Sequence, residues 1–132
     1  MPSTCPCNPH KTYKTCCAIA HENIAAVTTA QQLMRSRYSA FVMGNVNYLQ
    51  HSQHSSTRIS NHEADEIGQW TKTVQWVKLE VLTTTQGLVC DSLGTVHFKA
   101  LYIENGQLQI IEENSSFVRE DGCWVYVGEH TC

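Results

Sequence analysis

Four of the chain's seven cysteines fall in the single stretch Cys5-Pro6-Cys7-Asn8-Pro9-His10-Lys11-Thr12-Tyr13-Lys14-Thr15-Cys16-Cys17. Two close sulfur pairs separated by an eight-residue loop can converge on one ion as four thiolates. That donor set suits the tetrahedral, sulfur-preferring chemistry of Zn²⁺. Pro6 restricts the backbone inside the first pair, and Asn8 and Pro9 supply turn chemistry. Four thiolates around a divalent ion leave a formal excess of two negative charges. Lys11 and Lys14 are the ionic side chains available to neutralise it, since all twelve Asp and Glu residues follow His21. Other uses of these cysteines are less consistent with the pattern. A disulfide framework needs an oxidising compartment and leaves one of seven cysteines unpaired. An iron–sulfur cluster takes four cysteines at mostly wider spacings. His10 is the one substitute ligand, and its use would idle Cys16 or Cys17. A four-sulfur site keeps no position for water, so the predicted role of one bound zinc is structural.

The pattern Cys-x-Cys, eight residues, Cys-Cys, with Pro6, Lys11, Tyr13 and Lys14 inside it, resembles the SEC-C motif, the zinc-binding element at the C-terminus of the SecA translocation ATPase. The middle of that motif usually reads Gly-Ser-Gly, where this chain has Asn8-Pro9-His10. In SecA the element is associated with binding the SecB chaperone and the ribosome. The resemblance therefore implies a protein or ribosomal partner for the knuckle.

With 132 residues, 42% of them hydrophobic and 16% charged, the chain has material for one compact core. The expected division is a zinc knuckle over residues 1–20 and an α+β domain over 28–132. A net charge of −3 gives no general attraction to nucleic acid or anionic lipid, so nucleic-acid binding is not expected. No apolar run approaches the length that spans a bilayer, and Met1-Pro2-Ser3-Thr4 lacks the regions of a secretory signal. Membrane insertion is not expected and a cytoplasmic location is. Cys90, Cys123 and Cys132 are then reduced thiols, the first two in or near the core.

Ala18 to Val27 reads as a connector or short helical turn. Thr28 or Thr29 can cap a helix whose apolar positions Ala30, Leu33, Met34, Tyr38, Phe41 and Val42 recur at helical spacing, with Gly44 as its stop. Asn45 caps a shorter helix that runs out in the polar stretch from His51 to Arg58. Ser60 and Glu63 form a capping box for a third. Beyond Thr73 the period becomes alternating. Val77, Leu79 and Val81 are expected on one face of a strand ending near Gly87. Thr95 to Glu104 alternates Val96, Phe98, Ala100 and Tyr102 against the other face, and Asn105-Gly106 is a two-residue hairpin signal. Gln107 to Arg119 forms its partner, with a bulge or change of face near Ile110-Ile111. Asp121-Gly122 turns into a last strand through Trp124 and Val127.

Helices followed by antiparallel strands predict a curved sheet closing its apolar face over the early helices. Periodicity leaves open whether the hollow is filled. Beyond this, the body resembles the YchJ-like proteins, also called UPF0225, in which a SEC-C motif precedes a domain of the NTF2-like fold. The resemblance rests on Arg35-Ser36-Arg37-Tyr38, Tyr48-Leu49, Ser56-Thr57-Arg58, Trp76, Leu79-Glu80-Val81, Gly94-Thr95-Val96, Phe98-Lys99-Ala100 and Phe117-Val118-Arg119-Glu120-Asp121-Gly122. It implies an NTF2-like (cystatin-like) cone of antiparallel sheet packed on N-terminal helices, and no assigned reaction.

The body offers candidates for a site in the cone. His54, Thr57 and Arg58 lie together after the second helix, where the resemblance implies a place near the cone's mouth. An arginine beside a titrating histidine can hold an acidic ligand or transfer a proton. The plainer alternative pairs Arg58 with a structural carboxylate. Glu113, if inward, is an acid paired with Arg35, Arg37 or Arg58, or a general base. Trp76 and Tyr102, with Trp70, Phe98 and Trp124, build core or pocket wall. Two functions follow as expectations. One is an interaction module docking a protein or ribosomal partner through the knuckle, with cysteine replacement releasing metal and partners while the body stays folded. In that case the body is a scaffold or small-ligand binder; the other is a hydratase-, isomerase- or small-hydrolase-type enzyme working in the cone.

Overall fold

A computed structural model describes residues 4–130; Cys132 lies outside them. The longest helix, α2 (Ala30–Met43), begins where the Thr29 side chain accepts from the Gln32 amide. It stops at Gly44, whose φ of 68° is the left-handed C-cap that glycine adopts without strain. Asn45 caps α3 (Val46–His51) by accepting from the Tyr48 amide. Ser60 caps α4 (Asn61–Thr71), with its hydroxyl also reaching the Glu63 carboxylate. Ahead of these stand the short strands β1 (Thr4–Cys5) and β2 (Asn8–Thr12), a 3-10 turn over Tyr13–Thr15, and helix α1 (Cys17–Glu22).

Four strands follow, β3 (Gln75–Gln86), β4 (Leu93–Glu104), β5 (Gln107–Glu120) and β6 (Cys123–Glu129), paired antiparallel in sequence order. The hairpins at Asn105-Gly106 and Asp121-Gly122 carry positive φ at both turn residues, as the two-residue turns of twisted ribbons require. Along β4 the inward residues Val96, Phe98 and Ala100 are buried as the alternation predicts. They meet Leu33, Met34, Tyr38 and Ala40 of α2, and Phe117 and Trp124 of the neighbouring strands, in one core. The result is a curved antiparallel sheet wrapped as a cone on the N-terminal helices, preceded by a cysteine knuckle.

Four local expectations change. Val77 does not share a face with Leu79: the pairing of β3 with β4 slips between Trp76 and Lys78, and Val77 is left exposed. The pairing of β4 with β5 runs unbroken past Ile110-Ile111, and the irregularity in β5 lies at Ser116/Phe117 against β6. Glu113 therefore faces inward by simple alternation with Ser115 and Phe117. Cys90 is exposed on the β3–β4 connection, and Cys123 is only half-buried.

That connection closes tightly. The Ala30 amide donates to the Gly87 carbonyl at 2.9 Å. A Cβ on Gly94 would sit 2.5 Å from the Cα of Gly87 and 2.6 Å from its nitrogen. Because the obstacle is backbone, Gly94→Ala is expected to destabilise the fold by about 1–3 kcal/mol in urea unfolding. Gly128→Ala, where an added Cβ meets nothing, serves as the neutral control.

Candidate functional site

The two sulfur pairs meet. β1 and the turn into β2 carry Cys5 and Cys7, the 3-10 turn delivers Cys16, and Cys17 opens α1. The four Sγ atoms all lie within 4.8 Å of one another, and those of Cys5, Cys16 and Cys17 each stand 3.6 Å from that of Cys7. Four sulfurs at tetrahedral bonding distance from one zinc-sized ion would stand about 3.8 Å apart. All four cysteines are free of disulfides, and Cys5, Cys7 and Cys17 are buried. The thiol pKa values of Cys7, Cys16 and Cys17 are shifted by one another's proximity and by burial. Hydrogen bonding from the Cys17 thiol, opposed by burial and helped by Cys16 and Cys5, brings Cys7 down to about 5. Burial and the Cys7 sulfur push Cys16 up to about 11, and the bond to Cys7 pushes Cys17 up as well. Cys16 and Cys17 thus resist ionisation beside the Cys7 sulfur, whereas a bound dication would favour their thiolate forms. The donor set thus fits a metal ion. His10 stays out of it, exposed on β2.

Lys11 and Lys14 are exposed, and a cation that acts on the cluster is one sequence reasoning assigns elsewhere. Arg35 donates from Nη1 to the Cys7 carbonyl at 3.1 Å, and its charge lowers the Cys7 thiol. One helical turn on, Ser39 Oγ lies 3.5 Å from Cys5 Sγ. The spacing of Arg35 and Ser39 along α2 is the signal that could have found this face. His21 fastens the other side. Its Nε2 lies 2.8 Å from the Ser36 carbonyl, an acceptor only, so Nε2 carries the proton and Nδ1 accepts from Tyr13 Oη at 2.8 Å. Burial lowers the His21 pKa. The unfolded chain therefore binds this proton more readily, and the contact stabilises above the ordinary histidine range and weakens as pH falls through it.

The cone is hollow. A cavity of about 160 Å³ on the concave face is lined by α2 residues including Arg37 and Tyr38, by Trp70 and Trp76, and by Glu113, Ser115 and Tyr126. Tyr102 stands behind this lining, packed on both indoles at 5.3–5.4 Å between ring centroids. Glu113 makes no ion pair with Arg35, Arg37 or Arg58. Its Oε2 accepts instead from Tyr126 Oη at 2.8 Å and from Ser115 Oγ. Arg37 is buried, with its guanidinium carbon 4.6 Å from the centre of the Tyr126 ring. Loss of hydration takes it down to about 10, which still leaves it charged at neutral pH.

His54, Thr57 and Arg58 do not line this cavity. His54 sits 3.5 Å from Glu120 and bonds to Ser56. Thr57 belongs to the turn that follows His54. Arg58 donates to the carbonyls of Gln50 and Gln53, capping the end of α3 rather than pairing with a carboxylate. Ser115 and Tyr126 are the site residues that sequence reasoning missed. Both read as ordinary strand positions until β5 and β6 are paired.

Known proteins share this arrangement. The model of the YchJ middle NTF2-like domain matches residues 29–129. A UPF0225 protein of Vibrio parahaemolyticus is 42% identical over 127 residues, 96% of this chain and 74% of that protein. One from Streptomyces coelicolor is 41% identical over 122 residues, 92% of this chain and 90% of its own. The solution structure of a SEC-C motif containing protein from Rhodopseudomonas palustris matches with a TM-score of 0.80 at 27% identity, covering 100% of this chain and 99% of that one. The crystal structure of a SEC-C motif containing protein from Psychrobacter arcticus gives 0.77 at 25%, covering 100% and 85%. With a SEC-C type cysteine cluster set against an NTF2-like cone, the chain belongs to the YchJ-like UPF0225 family.

Proposed function

We propose that Cys5, Cys7, Cys16 and Cys17 hold one structural Zn²⁺, and that the knuckle folded around it, residues 1–20, docks a protein or ribosomal partner while the body, residues 28–132, acts as its scaffold. The reading is carried by the convergence of four sulfurs within 4.8 Å of one another, three of the cysteines being buried. A closed four-thiolate shell leaves no place for substrate, so the ion's contribution is shape. Docking is supported by what the knuckle exposes. Pro9, His10, Lys11, Lys14 and Thr15 are all exposed. Among the described residues β2 pairs only with β1, which leaves an edge that an extended partner segment can join. Two lysines on a chain of net charge −3 favour an acidic partner.

Reversing both charges, Lys11→Glu with Lys14→Glu, is expected to weaken capture of the partner, most strongly at low ionic strength, with metal content and thermal midpoint unchanged. Undiminished capture by the double variant would remove the knuckle's basic face from the interaction. The cavity supports a second reading, a small-ligand site in the cone. Its lining has one carboxyl group, Glu113, and no second acid or imidazole, which fits binding better than hydratase or isomerase chemistry.

A further inference from the structure

The cone cavity, about 160 Å³, is close in size to an engineered apolar cavity of about 150 Å³ that takes up benzene. Its apolar wall includes Tyr38, Phe41, Trp70, Trp76 and Phe98. Trp70 donates its indole N–H to Glu104 at 2.9 Å, and Trp76 donates to the Thr71 carbonyl at 3.3 Å. Both ring donors are thereby committed, and the two indoles offer a ligand carbon surface only.

The polar end is different. Arg37 is 6% exposed, and its Nη1 donates to the Leu49 carbonyl and to Ser52 Oγ. Its Nε and Nη2 have no hydrogen-bond partner and its charge no ion pair among the described residues. Every fully buried side-chain nitrogen and oxygen in the described structure is satisfied, so these two nitrogens reach open space. Arg37 lines the cone cavity and also a smaller hollow, of about 30 Å³, which is room for a single water. Beyond the Tyr126 ring, Glu113 accepts both its hydroxyl bonds on Oε2, which leaves Oε1 unpartnered among the described residues.

One cation and one carboxylate thus share the same end of a largely apolar cavity, each with bonding capacity left over. A ligand carboxylate would meet the charge of Glu113 and a ligand ammonium that of Arg37, both where apolar walls keep the effective dielectric low. A neutral head group carrying an acceptor beside a donor answers both. We propose that the cavity binds small uncharged aromatic molecules bearing a primary amide or an equivalent acceptor and donor pair, with the carbonyl accepting from Arg37 and the N–H donating to Glu113. This deepens the reading of the cone as a ligand site and rests on it.

Benzamide, benzoate and benzylamine are probes of nearly one shape and three charges. Titrated into the full chain at neutral pH and followed by the indole N–H resonances of Trp70 and Trp76, benzamide is expected to bind. The two ions should bind at least about tenfold more weakly. Ile111→Trp, at a cavity position 38% exposed and so tolerant of bulk, should weaken benzamide about tenfold in a protein that still melts cooperatively. Glu113→Gln should leave benzamide within a few-fold and strengthen benzoate about tenfold, a change of preference that a merely structural role would not produce. Benzoate or benzylamine binding as well as benzamide overturns the chemical class while leaving the cone as a ligand site. No response to any probe, or a benzamide response undiminished in Ile111→Trp, overturns the site as well.

Discussion

Replacing Cys7 and Cys17 together with serine is expected to abolish metal binding and to lower the stability of the whole protein by more than about 4 kcal/mol, rather than to detach a knuckle from an intact body. The reason lies in where the sulfurs are buried. Cys5, Cys7 and Cys17 belong to the same core as Leu33, Met34 and Tyr38 of the principal helix, and Arg35 and Ser39 of that helix bond to the knuckle directly. Loosening the cysteines therefore opens the face of α2 that the cone is wrapped on. Metal analysis paired with urea unfolding checks this. A metal-free variant that unfolds at the wild-type midpoint would establish the knuckle as an independent appendage. Acidification should reach the same state without mutation, because each thiolate must take up a proton to leave the ion.

Truncating Trp124 is expected to have a comparable effect. This side chain is 0% exposed, donates from Nε1 to the Thr28 carbonyl at 3.1 Å, and packs beneath the Arg119 guanidinium at 4.6 Å. It pins the last strand to the residues that begin α2. Trp124→Ala should cost about 3–5 kcal/mol in urea unfolding with the slope of the transition unchanged. Trp124→Phe, which keeps most of the apolar volume and loses the hydrogen bond, should cost about 1–2 kcal/mol. A loss below about 1 kcal/mol for alanine would show that β6 lies outside the cooperative core.

The features legible in the sequence are those decided within a few residues. Thr29, Asn45 and Ser60 cap their helices because a short oxygen-bearing side chain reaches an amide three residues on, and that geometry is local. Asn105-Gly106 and Asp121-Gly122 turn because they tolerate positive φ. Registers and partners were harder to read. Val77 left its expected face because the register with β4 shifts between Trp76 and Lys78, and no signal within β3 reports that pairing. Arg35 was a plausible mate for Glu113 until helix packing turned it to the Cys7 carbonyl. His54, Thr57 and Arg58 formed a persuasive cluster in sequence, yet the chain spends Arg58 on the carbonyls that end α3.

By itself, then, the sequence determined the four-cysteine pattern, the glycine stop of α2, the hairpin turns and the inward face of β4, because each follows from bonding and backbone preferences acting over one turn or one strand. Only the tertiary structure decided that the knuckle shares the core of the cone, and that Arg37, Glu113, Ser115 and Tyr126 meet at one end of an aromatic cavity. Those outcomes depend on which distant surfaces are buried together, and burial is a property of the packed chain rather than of any segment of it.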